Sequence, residues 1–131
     1  MVRDSGSLLT VSKRILYISY DERTLIARRA LLEQQGYSVT AARGFSEGSS
    51  VCADEGFDLL ILGYSIPRRQ KEQLLAIFRS HCAAPVLSLW RHREPLVETV
   101  NYVVFSDDPE QLLKSVATIL LQDDPVQVSL T

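Results

Sequence analysis

Residues 57–67, with the sequence FDLLILGYSIP, carry the strongest fold signal in the chain. The stretch from Phe57 to Leu62 is the most apolar in the sequence, and a short run of this kind that ends in a turn is typical of a strand buried on both faces. Gly63 begins the turn and Pro67 ends it. Because strands covered on both faces occur in parallel sheets, this stretch predicts a central strand of an α/β domain.

Strand-like and helix-like segments alternate on both sides of this central strand. Strands are predicted at 15–18, 37–42, 57–62, 85–90 and 102–105, and helices at 21–35, 45–55, 68–80 and 109–121. Gly36 stands where a helix C-cap glycine is expected, and Asp108-Pro109 suits an N-cap followed by the first helical position. Five strands joined by crossovers predict a doubly wound parallel sheet of the flavodoxin-like class, and the pattern leaves the strand order open.

The length and charge of the chain fit one domain with no general affinity for nucleic acid. It has 131 residues, and 14 basic against 16 acidic side chains give a net charge of −2. We expect residues 1–12 to be a loose N-terminal lead, 13–121 the domain and 122–131 a C-terminal tail. No apolar run is long enough for a membrane span or a signal peptide, which predicts a cytoplasmic location.

The sequence offers no metal, cofactor or catalytic motif. Cys52 and Cys82 lack metal-ligand spacing, and the adjacent pair His81-Cys82 is better explained by packing at a helix end. Ser65 has neither the glycine framework nor the base of a nucleophile elbow, and phosphate-binding glycine motifs are absent from the sequence. We therefore predict that the protein is not an enzyme and has no cofactor.

The order of these landmarks resembles the receiver domain of bacterial two-component response regulators. The matching stretches are 15–18, 31–39, 42–48, 57–67, 84–87 and 108–113, so the resemblance covers about residues 13–121. It implies a CheY-like fold. It also implies a phosphorylation site at the strand ends, where an aspartate accepts the phosphoryl group, an acidic pair holds Mg²⁺, and a hydroxyl and a lysine contact the phosphoryl oxygens.

The residues at those positions depart from the family pattern. The resemblance places the acidic pair on Ser19 and Tyr20, with Asp21 just beyond. It places the acceptor on Gly63, the hydroxyl on Trp90 and the lysine on Phe105. Glycine has no side chain to phosphorylate. Ser88, two residues before Trp90, shares its strand face but lies deeper in the sheet by about 6–7 Å. The sequence therefore predicts a degenerate pseudo-receiver without the acceptor aspartate.

The connection between the fourth and fifth strands is also unusual. Only the eleven residues 91–101 join them, and Pro95 lies among these residues. We expect the fourth helix of the family to be short or missing, since an average helix alone takes about 11–12 residues. In the family that helix belongs to the face that signals to partners, so the resemblance also implies an altered output face.

Aromatic residues gather at the predicted strand ends. Tyr20, Tyr64, Trp90 and Phe105 either partly fill the former phosphorylation pocket or are ordinary core and rim residues. If they are partly exposed, they form a partner-binding patch with Arg91 and Arg93, for which Tyr64 and Trp90 are the anchors.

Three functions remain open at this stage. The leading hypothesis is a stand-alone receiver-like signalling domain that acts by phosphorylation-independent protein contact with a histidine kinase, another regulator or a second copy of itself. The second is a phosphorylatable regulator with a displaced acceptor, for which Asp21 and Ser65 are the nearby candidates. The third is a small-molecule binder that uses the crevice between the Ser19 and Gly63 loops.

Overall fold

The computed structural model describes residues 12–54, 56–90, 100–105 and 108–122, without the side chains of Phe105 and Gln122. In chain order the elements are β1 Arg14–Ser19, α1 Glu22–Gln34, β2 Ser38–Arg43, α2 Gly44–Cys52, β3 Leu59–Leu62, α3 Arg68–His81, β4 Val86–Trp90, β5 Tyr102–Phe105 and α4 Pro109–Gln122. All the predicted elements are present, and their bounds agree with the predictions to within three residues. The predicted short or missing helix between β4 and β5 falls on residues 91–99, outside the described residues.

The five strands form one parallel sheet in the order β2-β1-β3-β4-β5. Ile18 is in register with Leu62, Leu62 with Ser88, and Trp90 with Phe105. The chain leaves β1 toward one side to form β2 and later returns on the other side as β3. This reversal opens a crevice beyond the carboxyl ends of β1 and β3, the usual place for a ligand site in such sheets.

Apolar side chains cover both faces of the sheet, as the continuous apolar strands predict. The α1-side core lies under α1 and α4 and contains Ile15, Tyr17, Leu25, Leu32, Val39, Leu59, Ile61, Leu87, Leu89, Leu112, Val116, Ile119 and Leu120. The α3-side core lies under α2 and α3 and contains Leu16, Ile18, Ala42, Cys52, Phe57, Leu60, Leu62, Ile66, Leu74, Leu75, Phe78 and Val86. Alternate residues of β1, β3 and β4 therefore enter different cores.

Local signals define the helix ends as expected. The Asp108 side chain accepts a hydrogen bond from the Glu110 amide at 3.0 Å, and Gly36 has a φ of +97°, a conformation that glycine adopts easily.

Both cysteines are free thiols, and burial raises the pKa of Cys52 to about 12. None of the described helices is long and apolar enough to span a membrane.

Candidate functional site

The structure brings the predicted site positions to one edge of the sheet. Ser19 is the last residue of β1, Gly63 follows β3 directly, and Trp90 and Phe105 end β4 and β5. Because all strands are parallel, these positions share the edge that contains the β1–β3 crevice. The ends of the strands therefore bring together the positions at which the resemblance implies a phosphorylation site.

Gly63 lies in a position with no space for a side chain. Its amide donates a hydrogen bond to the Ile18 carbonyl at 2.8 Å, which pulls the chain close against β1. A Cβ atom at Gly63 would stand 2.9 Å from that carbonyl oxygen and 2.9 Å from the Ser19 Cβ. The carbonyl belongs to the backbone of a central strand and cannot rotate away. A side chain at position 63 would therefore require the surrounding backbone or the Ser19 side chain to shift.

The Ser65 hydroxyl occupies the loop that follows β1. Its Oγ accepts hydrogen bonds from the backbone amides of Tyr20 at 2.9 Å and Asp21 at 3.3 Å, and it lies 3.0 Å from the Ser19 Oγ. The Asp21 amide also donates to the Ser19 Oγ at 3.1 Å. The chain's own hydroxyls therefore satisfy the amides at the entry to α1, where the positive end of the helix dipole lies.

Asp21 is used inside the chain as the N-cap of α1. Its Oδ1 accepts from the Thr24 amide at 3.3 Å, and its Oδ2 accepts from the Thr24 hydroxyl at 2.9 Å and the Tyr64 hydroxyl at 2.8 Å. The Tyr64 hydrogen bond first, and then those from Thr24, lower the pKa of Asp21 below its ordinary value. Among the described residues, no group of three His, Cys, Asp or Glu is arranged to hold a metal ion.

The lowered pKa of Asp21 predicts a pH-dependent contribution to stability. A carboxyl with a depressed pKa in the folded state stabilises the fold above its ordinary pKa of 3.8, and the contribution is lost as the pH falls through the lower, folded value. Asp21→Asn keeps a capping side chain but cannot ionise. We expect urea unfolding between about pH 2 and 6 to show the wild-type advantage shrinking toward the acid end. An advantage that is constant over this range would contradict the assignment.

Tyr20 bridges two elements on the α3 side of the sheet. Its hydroxyl donates to Gln70 Oε1 of α3 at 2.6 Å and accepts from the Phe45 amide of α2 at 3.2 Å. The ring packs so closely on Gly44 that a Cβ atom there would lie 2.8 Å from Tyr20 Cε1. Gly44 also has a φ of +81°, a conformation that residues with side chains rarely adopt. Glycine is therefore needed at this position both for the space that the Tyr20 ring takes and for the backbone conformation. Tyr20 remains 39% exposed.

The two tyrosines make their contacts on different faces of the sheet. Tyr20 contacts α2 and α3, whereas the half-buried Tyr64 packs against the α1-side core. The difference arises because each hydroxyl finds its partner on a different face, Gln70 for Tyr20 and Asp21 for Tyr64. Trp90 is half-buried. The Phe105 side chain and the predicted partner-binding residues Arg91 and Arg93 lie outside the described part of the chain.

Sequence reasoning missed Lys71, which lies next to this edge. Its Nζ is 2.9 Å from Ser88 Oγ and 2.8 Å from the Leu89 carbonyl oxygen, and both contacts are buried. A signal was present in the sequence. Lys71 precedes Leu74, Leu75 and Phe78 at the spacing of one buried helix face, so its side chain had to enter the α3-side core.

A groove of about 470 Å³ lies away from the crevice, between β5 and α4. Its lining residues are Tyr102, Val103, Val104, Gln111, Lys114, Ser115, Thr118 and Ile119. This groove does not include the Ser19 and Gly63 loops, so it gives no support to the hypothesis of a small molecule bound between those loops.

Comparison with known proteins confirms the receiver fold. No protein-family model and no curated protein sequence matches the chain. Among solved structures, a CheY-like response regulator receiver domain protein from Methanospirillum hungatei JF-1 matches with a TM-score of 0.71 at 19% identity, covering 86% of this chain and 96% of that one. A two-component response regulator from Clostridium difficile matches with a TM-score of 0.72 at 17% identity, covering 86% and 99%.

A third similar structure is the receiver domain from the hybrid histidine kinase CckA. It has a TM-score of 0.67 at 23% identity and covers 82% of this chain and 98% of that domain. The three matches share nearly their whole length with this chain. Together they establish the fold that the sequence landmarks predicted.

Proposed function

We propose that this chain is a receiver-fold signalling domain that acts through protein–protein contact and does not accept a phosphoryl group. The main observation in support of the proposal is that Gly63 has no space around it for a side chain. A side chain there would collide with the Ile18 carbonyl oxygen at 2.9 Å. A phosphoryl acceptor at the end of β3 therefore requires β1 and β3 to separate or the turn after β3 to shift, and either change disturbs the hydrogen bond between Gly63 and Ile18.

The surrounding groups support the same proposal because each is used within the chain. Asp21 caps α1 and accepts from Tyr64, and the Ser65 hydroxyl receives the amides of the β1–α1 loop. Ser88 is in register with Leu62, which is the residue before Gly63. The Ser88 hydroxyl accepts a hydrogen bond from the Lys71 amino group. Polar groups that would otherwise hold Mg²⁺ or phosphoryl oxygens thus stabilise the resting fold instead.

Asp21 and Ser65 are poor alternative acceptors for physical reasons. The lowered pKa of Asp21 reflects lone pairs that are already bonded, which weakens the carboxylate as a nucleophile. Ser65 Oγ accepts two amide hydrogen bonds, and a serine needs a neighbouring base to be activated. A displaced acceptor is therefore the less favoured function.

The partner in this proposal is another signalling protein: a histidine kinase, a second regulator or another copy of the chain. The rim of the crevice supports such contact, since Tyr20 is 39% exposed and tyrosine is enriched among residues that anchor interfaces. Tyr64 and Trp90 are half-buried at the same end of the sheet.

The proposal is tested with a small-molecule phosphoryl donor. The full chain is incubated with acetyl phosphate and Mg²⁺ beside a receiver domain that has an intact acceptor, and both are examined by intact-protein mass spectrometry. We expect the control to gain the mass of one phosphoryl group and this chain to gain none. Phosphorylation of the chain would refute the proposal, and peptide mapping would then distinguish Asp21 from Ser65.

A further inference from the structure

Lys71 combines near-complete burial with two specific contacts. Only 5% of the residue is exposed, although lysine is almost never fully buried unless its amino group has partners. Its Nζ lies within hydrogen-bond distance of Ser88 Oγ and of the Leu89 carbonyl oxygen. Both partners belong to β4, while Lys71 itself belongs to the first turn of α3.

The unequal lengths of β3 and β4 explain why the Leu89 carbonyl needs this partner. The Leu60 amide donates to the Pro85 carbonyl, so the carbonyls of Pro85 and of every second residue after it face β3. β3 ends at Leu62, before the residue whose amide would be in place to donate to the Leu89 carbonyl; the Gly63 amide faces β1 and donates to Ile18. The Leu89 carbonyl thus extends past the end of β3, and Lys71 supplies the donor that a longer strand would have provided.

The Ser88 contact fixes the same amino group from a second direction. Ser88 shares a strand face with Val86, whose side chain enters the α3-side core beneath α3. The Lys71 amide makes the first intrahelical hydrogen bond of α3, to the carbonyl of the N-cap Pro67 at 2.9 Å, so the residue is fixed in the first turn. Its side chain therefore connects the first turn of α3 to the end of β4.

We propose that Lys71 is an internal lock that holds the first turn of α3 and the carboxyl end of β4 in a single arrangement. Trp90 directly follows Leu89, so the lock also fixes the backbone that presents Trp90 at the edge of the sheet. If the proposed function holds, the surface around Trp90 is always presented to a partner and no phosphoryl group switches it. The role of Lys71 itself does not depend on the proposed function.

The test compares Lys71→Met with Arg69→Met in the full chain. Methionine keeps much of the length and apolar surface of lysine but lacks the amino group, and Arg69 is an exposed residue of the same helical turn. The control variant therefore loses the same formal charge without touching β4. The readout is NMR relaxation dispersion of backbone amides, which detects motion between microseconds and milliseconds.

We expect flat dispersion profiles for residues 87–90 in the wild type and in Arg69→Met. In Lys71→Met we expect exchange in residues 68–71 and 87–90, with amide hydrogen exchange there faster by about tenfold or more while β1 and β3 stay protected. Three results would each contradict the proposed role of Lys71. These are flat profiles in Lys71→Met, exchange already present in the wild type, and a uniform rise in hydrogen exchange over the whole sheet.

A second variant keeps the proposal testable if Lys71→Met does not fold. Ser88→Ala removes one of the two acceptors and leaves the bond to the Leu89 carbonyl in place. We expect exchange at the same residues with a smaller amplitude, and an unchanged profile would contradict the lock. Because none of these measurements involves phosphoryl transfer, their outcome is distinguishable from that of the acetyl phosphate experiment.

Discussion

Replacing Gly63 with aspartate is expected to destabilise the fold and to create no phosphoryl acceptor. The new Cβ would meet the Ile18 carbonyl oxygen and the Ser19 side chain at 2.9 Å, so β1 and β3 must separate or the turn must shift. The carboxylate would also enter a buried position. Overpacking together with burial of a poorly solvated charge predicts a loss of about 2–4 kcal/mol in the free energy of unfolding, measured by urea denaturation.

Two companion variants separate the causes of this effect. Gly63→Ala introduces the steric contact without a charge and is expected to account for about 1–3 kcal/mol of the loss. Ala83→Asp places the same carboxyl on an exposed position of the loop before β4 and is expected to stay within about 0.5 kcal/mol of the wild type. A Gly63→Asp protein with wild-type stability that is phosphorylated by acetyl phosphate would show that the site is open.

Removing the Ser65 hydroxyl is expected to weaken the entry to α1. In Ser65→Ala the Tyr20 amide loses its 2.9 Å acceptor, whereas the Asp21 amide keeps the Ser19 hydroxyl. Because this hydrogen bond is exposed and water can replace the hydroxyl, we expect a loss of about 0.5–1.5 kcal/mol in the free energy of unfolding. Urea denaturation gives the size of the loss, and hydrogen exchange of the Tyr20 amide reports its location.

The matched control for Ser65→Ala is Ser50→Ala on the exposed surface of α2. Alanine is the better helix former, so this variant is expected to equal or slightly exceed the wild type in stability. If Ser65→Ala were as stable as Ser50→Ala, and the Tyr20 amide stayed protected, the role of the Ser65 hydroxyl in the loop would be wrong.

The local fold could be predicted from the sequence because its signals are local. The apolar run at 57–62, the glycine at position 36 and the cap at Asp108 each depend on neighbouring residues alone. The strand order could not be predicted from the same signals. β1, β3 and β4 are alike as short, almost wholly buried runs, so periodicity gives no reason to place β3 rather than β4 beside β1.

The place of the candidate residues at the strand ends could be predicted, but their contacts could not. The resemblance located Gly63 and Ser19, and the structure places them against each other at the edge of the sheet. The separation of Tyr20 from Tyr64 depends on Gln70 and Asp21, partners distant in sequence from the tyrosines that they bind. Such partners are set by the packing of whole elements, which a single sequence does not specify.

Buried charged residues were overlooked for a different reason. Arg28 occupies the buried face of α1 between Leu25 and Leu32, and its Nη1 lies 3.5 Å from the Tyr17 hydroxyl. Lys71 holds the equivalent position in the buried stripe of α3. Helix periodicity read from apolar residues alone does not reveal a basic residue within a buried stripe, although its spacing of three or four from apolar neighbours indicates burial.

The central claim, that the crevice does not take up a phosphoryl group, is tested most directly by titrating the full chain with Mg²⁺ and beryllofluoride. Beryllofluoride mimics a phosphoryl group on a carboxylate, and amide chemical shifts report binding residue by residue. The account predicts that the amides of Ser19, Gly63 and Trp90 keep their positions at ligand concentrations of several millimolar. Saturable shifts centred on these three residues would contradict it, because they would show that the crevice binds the phosphoryl mimic.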